Sequence, residues 1–207
     1  MKLSTGLRRS LQEAAEKYAK NIQVAAPYLA ARGVTHEVAN MFLLGVVTDP
    51  TPADSDYAGR LSVPYLTPSG VVDIRFRLID ESAGGPKYLG RPASETRMFN
   101  VQALQTDSPV ICVCEGEIDT MIMHALVGVP SVGIPGASNF KDHYRLLLED
   151  FERVIVWCDG DQAGRDFGKK LAAEIDAAVV VHLPDGMDVN DCYLSEGAEG
   201  LRRRAGL

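Results

Sequence analysis

Apolar residues along this chain follow two different periods, and the change falls near its middle. In residues 6–23, Leu7, Leu11, Ala14, Ala15 and Tyr18 recur at three- and four-residue spacing, with Arg, Glu and Lys between them. That stripe predicts a helix with one buried face. A second helix is expected over residues 23–32, stopped by Gly33, and a short third one through Phe42, capped by Thr35. Residues 48–59, with Pro50, Pro52 and three aspartates, read as a loop. Strands are expected over 60–66 and 71–79, joined by a hairpin turn from Thr67 to Gly70. In the second strand Val72, Ile74, Phe76 and Leu78 share one parity, while Val71, Asp73, Arg75 and Arg77 share the other. One face is therefore apolar and the other carries two arginines. Residues 84–88, with Lys87 and Tyr88, read as a loop, and Arg91 and Arg97 follow.

From Pro109 the pattern becomes an alternation of short apolar runs and amphipathic stretches. Strands are predicted over 110–114, 131–134, 153–158 and 178–183. Helices are predicted from about 118 to 127, 140 to 150 and from Gly164 to about 176. Alternation at this spacing implies parallel strands with right-handed crossovers. Residues 184–191 read as a loop, and the tail with Arg202, Arg203 and Arg204 as a short terminal helix. The chain is thus predicted to be α/β, with a parallel four-stranded sheet flanked by helices preceded by a smaller α+β unit. The boundary is placed near residues 100–108, giving domains 1–105 and 106–207.

Charge sharpens that division. The net charge of −7 argues against general nucleic-acid affinity. Yet residues 1–100 hold 12 Lys/Arg against 10 Asp/Glu, while residues 101–207 hold 9 against 18. A near-neutral first half with clustered arginines and an acidic second half point to different tasks. The four cysteines form no C-x-x-C pair and read as reduced core thiols. No apolar run approaches the roughly 18 residues of a membrane helix. The first residues carry no signal-peptide core. A cytoplasmic location without membrane attachment is the expectation.

The candidate chemistry sits where the strands stop. The runs 110–114 and 153–158 end abruptly in Glu115 and in Asp159-Gly160-Asp161. In a parallel sheet these acids share the carboxyl edge, where open α/β sheets build their sites. Three acids there repel one another unless a cation lies between them, and Mg²⁺ suits carboxylate oxygens and phosphate substrates. Asp188 leaves the last strand toward the same edge. The turn Pro135–Asn139, with Gly136 and Ser138, offers backbone N–H groups for a phosphate. Each acid alone has an ordinary reading as a turn or cap residue; four strand ends doing this together weaken it. The arginine face of 60–77 is read evenly between a phosphate-binding surface and a solvated sheet face.

The segments Glu115-Gly-Glu-Ile-Asp119, Asp159-Gly-Asp-Gln-Ala-Gly-Arg165 and Leu183-Pro-Asp-Gly-Met-Asp188 resemble the three motifs of the Toprim domain. The last two resemble the forms found in DnaG-type primases and bacteriophage primase-helicases. Tyr28-Leu-x-x-Arg-Gly33, Gly70-Val-Val-x-Ile-Arg-Phe-Arg77 and Pro86-Lys-Tyr-Leu89 resemble the primase core's helical entry and basic subdomain. The resemblance spans about residues 10–195. It implies a DNA primase core, a DNA-directed RNA polymerase and nucleotidyltransferase of DNA replication in a bacteriophage-like form. It implies Mg²⁺ or Mn²⁺ on Glu115, Asp159, Asp161 and Asp188, with Asp119, Gly136 and Asp191 as further metal or phosphate candidates. It implies single-stranded DNA template or NTPs at Arg60, Arg75, Arg77, Lys87 and Tyr88. Two positions depart from the family's pattern: Asn100-Val-Gln follows Phe99 where primases carry His-Lys-Gly, and Asn190 stands where many relatives have Asp. Zinc-binding and helicase motifs do not occur in these residues. The implied partners are therefore a replicative helicase and a separately supplied zinc-binding, template-recognising domain. The alternatives are a Toprim nuclease or a non-catalytic replisome adaptor.

Overall fold

A computed structural model describes residues 3–92, 94–136 and 139–207. The chain forms two compact units, Met1–Glu95 and Thr96–Leu207. The division falls about ten residues before the boundary expected at residue 105. Its cause is pairing: Phe99 bridges Gly133 in antiparallel fashion, and Met98 and Ala103 enter the core of the second unit. A charge count does not register that exchange of backbone hydrogen bonds.

The first unit opens with α1 (Thr5–Ala19), capped by Ser4, whose Oγ accepts the Leu7 N–H at 3.2 Å. Its buried residues are Leu11, Ala14, Ala15 and Tyr18, the expected stripe without Leu7, which is exposed in the first turn. The helix stops at Ala19 rather than running to 23. The expected second helix is a 3-10 turn over Ile22–Ala25 followed by α2 (Ala26–Ala30). Then come α3 (His36–Met41), capped by Thr35 as expected, and an antiparallel sheet of β1 (Gly45–Val46), β2 (Leu61–Thr67), β3 (Gly70–Arg77) and β4 (Tyr88–Gly90), in that order. Ile74 and Phe76 of β3 pack with α1's stripe, and Tyr57 stacks on Phe76 at 4.0 Å. Gly45 is required there, because a Cβ would overlap the backbone of Tyr18. Tyr88–Gly90 is a strand rather than part of the loop, pairing with Arg75–Arg77.

The stretch read as the 48–59 loop holds a buried ionic centre within a 3-10 segment, Pro52–Tyr57. Asp54 is wholly buried. Arg91 grips it with two hydrogen bonds, Nε to Oδ1 at 2.7 Å and Nη2 to Oδ2 at 2.6 Å. Tyr18 Oη and Thr51 Oγ1 also donate to it, at 2.7 and 2.9 Å. Burial opposes the charge on Asp54, but these donors outweigh it and hold the carboxyl below its ordinary range. Tyr18→Phe strands one lone pair of Asp54 and the Thr51 N–H that Tyr18 accepts. It is expected to cost about 1–2 kcal/mol in a urea unfolding series; an unchanged midpoint would show that the centre does not pin this unit.

The second unit is a parallel sheet in the order β6-β5-β7-β8. Its strands are β5 (Val110–Cys114), β6 (Ser131–Gly133), β7 (Arg153–Cys158) and β8 (Ala178–His182). They lie within a residue of the predicted bounds. The helices are α4 (Glu117–Met121), continued by a π-turn over Ile122–Leu126, α5 (Asp142–Leu148), α6 (Gln162–Glu174) and α7 (Val189–Ala205). The tail is thus not a short helix. It is a 17-residue element that begins directly after Asp188 and bends at Gly197, whose φ is +70°. The four cysteines are free and buried. Among the described residues no helix is long and apolar enough to cross a membrane.

Candidate active site

β5 and β7 are neighbours in the sheet, so the residues that follow them emerge side by side. Glu115 comes first after β5. Its Oε1 is shielded from solvent and has no hydrogen-bond partner, while the backbone N–H of Asp159 donates to its carboxyl. Burial, then the negative charge of Asp161, then that of Asp119, push its pKa up to about 7. The acids of two strand ends therefore act on one another electrostatically.

Asp159 and Asp161 lie on a loop of tightly constrained shape. Asp161 caps α6, its Oδ1 accepting the Gly164 N–H at 2.7 Å. The Gly160 N–H donates to Met187 O at 2.8 Å, and the Gly186 N–H donates to Gly160 O at 2.9 Å. These two bonds lock the loop after β7 against the loop after β8. A Cβ on Gly160 would overlap the Pro184 carbonyl, and one on Gly164 would overlap the backbone of Asp159. The Asp-Gly-Asp-x-Ala-Gly spacing thus follows from backbone contact on both sides of the carboxylates.

Asp188 is the N-cap of α7, in a reciprocal capping box with Asp191. Its Oδ1 accepts the Asp191 N–H at 2.8 Å, and Asp191 Oδ2 accepts the Asp188 N–H at 3.2 Å. Asp119 lies above Gly116, where a Cβ would overlap its Oδ2. Its Oδ1 accepts the backbone N–H of Asn190 at 3.0 Å. The position where many relatives have Asp thus contributes through its main chain. Gly136 has φ +85°, and its carbonyl accepts the Asn139 N–H at 3.0 Å. Ala137 and Ser138, the rest of the expected phosphate turn, lie outside the described residues. Asn100, in place of the family's His-Lys-Gly, is buried and left-handed, its Nδ2 donating to Ser131 O at 2.8 Å.

Among the described residues no three His, Cys, Asp or Glu side chains stand ready as a closed ligand set. The donors nevertheless fit a hard cation. Glu115 Oε1 is an orphaned buried acceptor, and the neighbouring acids repel its charge. A divalent ion satisfies both deficits with oxygen ligands.

The basic residues of the first unit are placed differently from one another. Arg60 is buried and its Nη1 donates to Pro86 O at 2.9 Å, clipping the 84–87 loop. Arg77 is buried too, donating through Nε to Tyr28 Oη and through Nη1 to Tyr88 Oη at 2.6 Å. Arg32 lies over the Tyr28 ring at 4.5 Å, and Arg77 lies 5.6 Å from Tyr28 and 5.0 Å from Tyr88. Arg75 lies over Tyr88 at 4.5 Å. The result is an alternating series of three guanidinium groups and two rings. Arg75 and Arg77 share a face as the alternation predicts, but tyrosines cover it. Tyr28 and Arg32 are not among the residues that the resemblance implies at template or nucleotide; their i, i+4 spacing beside Gly33 is the available signal. Lys87 is exposed.

Comparison with known proteins agrees with this architecture. The Toprim-like family description matches residues 112–193. The Gene 57 protein of Mycobacterium phage D29 is 37% identical over 153 residues, which cover 72% of this chain and 99% of that protein. The DNA primase of Legionella pneumophila is 25% identical, across 97% of this chain and 42% of its own length. Among solved structures, the RNA polymerase domain of Mycobacterium tuberculosis primase DnaG superposes with a TM-score of 0.82 at 25% identity, covering 100% of this chain and 84% of that one. The Escherichia coli primase catalytic core gives 0.74 at 22%, covering 97% and 79%. The fold and site define a Toprim domain preceded by an antiparallel-sheet unit. The chain belongs to the family of the phage D29 Gene 57 protein, and it shares its Toprim-like segment and its fold with DnaG primase catalytic cores. It spans about two fifths of the length of the bacterial primases it matches.

Proposed function

We propose that this chain is the catalytic core of a DNA primase, joining ribonucleotides into short RNA primers on a single-stranded DNA template. The observation that carries this reading is the extent of the likeness. The DnaG RNA polymerase domain matches the whole chain, so the arginine-bearing first unit is included as well as the acidic edge. A Toprim nuclease needs only the latter.

In this reading Glu115, Asp159, Asp161 and Asp188 would hold Mg²⁺ or Mn²⁺, with Asp119 of α4 and Asp191 at the start of α7 supporting them. The bound ion lowers the pKa of a 3′-hydroxyl and neutralises charge on the phosphates. Asp159 and Asp161, kept in place by the Gly160 bonds, supply the fixed negative charge that orients it. The 3′-oxygen bonds to the α-phosphorus, the bond from that phosphorus to the bridging oxygen breaks, and pyrophosphate leaves. Glu115, ionised once the cation is bound, is the carboxylate assigned to take the hydroxyl proton. In the first unit Arg75, Arg32 and Lys87 meet template phosphates, while Arg60 and Arg77 act as struts for that surface. The rings of Tyr28 and Tyr88 are engaged by guanidinium groups, which favours phosphate contact over base stacking.

Incubation with single-stranded DNA, labelled NTPs and Mg²⁺ or Mn²⁺ tests the reading. Short RNA is the expected product; shortened DNA without RNA would replace primase by nuclease. Arg75→Ala is expected to weaken template binding severalfold and to reduce the slope of log affinity against log salt by about one. An unchanged slope would return that face to a structural role. Template choice and helicase engagement are assigned to further domains or partner chains, and the cytoplasm, of the host if phage-encoded, is the proposed location.

A further inference from the structure

The second unit contains two complementary deficits, one directly after β5 and one in the segment before Phe99. One is the acceptor Glu115 Oε1, described above. The other is a donor: Arg97 Nε is shielded from solvent and makes no hydrogen bond. A solvent-shielded charged donor without a partner is destabilising, and such a group asks for an explanation. The Phe99–Gly133 bridge, with N–H to O distances of 2.8 and 3.1 Å in the two directions, runs the 96–99 segment antiparallel to the end of β6. Arg97 lies two residues before Phe99 in that segment, on the side of the bridge that leads toward Pro135. Gly133 in turn pairs with Cys114, the residue before Glu115. A second cation is adjacent in the chain direction, since Lys141 Nζ donates to Thr96 O at 2.7 Å.

The missing donor and the missing acceptor do not satisfy each other. A metal-bound polyphosphate satisfies both, with the cation on the acids and phosphate oxygens on the guanidinium. We propose that Arg97 is a binding residue for the terminal phosphates of the incoming nucleoside triphosphate. It supplies a cationic group just before the stretch where Asn100-Val101-Gln102 stand in place of His-Lys-Gly. The chemistry is that of the Arg–phosphate pair, short, charge-assisted and often bidentate. This inference rests on the primase reading for the identity of the ligand, but phosphate binding can be measured without primer synthesis.

The test uses the full chain without template. Binding of Mg²⁺–ATP and of Mg²⁺–pyrophosphate is measured by calorimetry for wild type, Arg97→Ala and Arg97→Lys, alongside Mn²⁺ binding alone and thermal unfolding. Arg97→Ala is expected to weaken both phosphate ligands about tenfold or more, with Arg97→Lys in between. Mn²⁺ affinity should be unchanged and the thermal midpoint equal or higher, because an orphaned buried donor is removed. Phosphate affinities within twofold of wild type would overturn the proposal. So would parallel losses of Mn²⁺ binding and thermal stability, which would mark Arg97 as structural. If wild type binds the phosphates through Arg97 yet makes no RNA, the primase reading fails and the phosphate site stands.

Discussion

Asp161→Asn is expected to reduce primer synthesis by about three orders of magnitude with almost no change in stability. Asn is the informative replacement because Asp161 does two things. Its Oδ1 caps α6 through the Gly164 N–H, and its charge contributes to the field that raises Glu115. Asn caps a helix about as well as Asp, so the cap survives while the charge is lost. Loss of one preorganised group facing developing charge costs on the order of 10²–10³ in rate, and a weakened metal site adds to that. Asp161→Ala removes both functions and should also lose about 1 kcal/mol of stability. Primer yield per unit time and a urea midpoint, measured on both variants, separate the two contributions. Retained synthesis by Asp161→Asn would remove this carboxylate from the reaction. Loss of stability equal in the two variants would show the charge itself to be structural.

The double duty of Asp161 also shows how far sequence reaches. Strand ends were legible because β5 and β7 are buried apolar runs, and a buried parallel strand announces its own limit at the first carboxylate. The hairpin and the common parity of Arg75 and Arg77 were legible for the same reason, a period of two. What those residues touch was not. The rings over the arginines come from Tyr28 and Tyr88, 49 and 11 residues away from Arg77 in sequence. Asp54 in a proline-rich stretch has the composition of a solvated loop, and only the distant Arg91 and Tyr18 make it a buried centre. The start of α7 was hidden because Pro184–Asp191 is rich in turn residues. The capping box that begins the helix uses the same residue types as a loop. Glycine was the most informative residue in retrospect: Gly160, Gly164 and Gly116 each lie where a side chain would meet backbone or a carboxylate of the site. Tertiary contacts of this kind have no periodic signature, whereas the motif spacing they impose does.

Glu115→Gln is expected to abolish most primer synthesis and, in the metal-free protein, to stabilise the fold at neutral pH. Both effects come from the same carboxyl. Burial and the charges of Asp161 and Asp119 raise its pKa from 4.5 to about 7. The folded chain therefore binds this proton more tightly than the unfolded chain. Between those two pH values the unfolded state is ionised and the folded state is not, so stability falls as pH rises through that window. The contribution is fully present below pH 4.5 and lost above about 7. At about 1.4 kcal/mol per unit, the loss is on the order of 2–3 kcal/mol for this largely shielded group. Gln carries no such penalty, and the difference in unfolding free energy between variant and wild type should grow from pH 5 to pH 8. Titrating groups outside this cluster cancel in that difference. Saturating Mg²⁺ should reverse the trend for wild type, because a cation that binds the ionised carboxylate restores the lost stability in proportion to its occupancy. The variant should respond far less to Mg²⁺. Urea unfolding at four pH values, with EDTA and with Mg²⁺, measures all of this without any nucleotide. Equal pH dependence in both proteins would mean that Glu115 is ionised at neutral pH in the metal-free fold, and the electrostatic opposition of Asp161 and Asp119 to its charge would fall with that result. Equal Mg²⁺ stabilisation would instead leave its proton chemistry intact and move the metal onto Asp159, Asp161 and Asp188 alone.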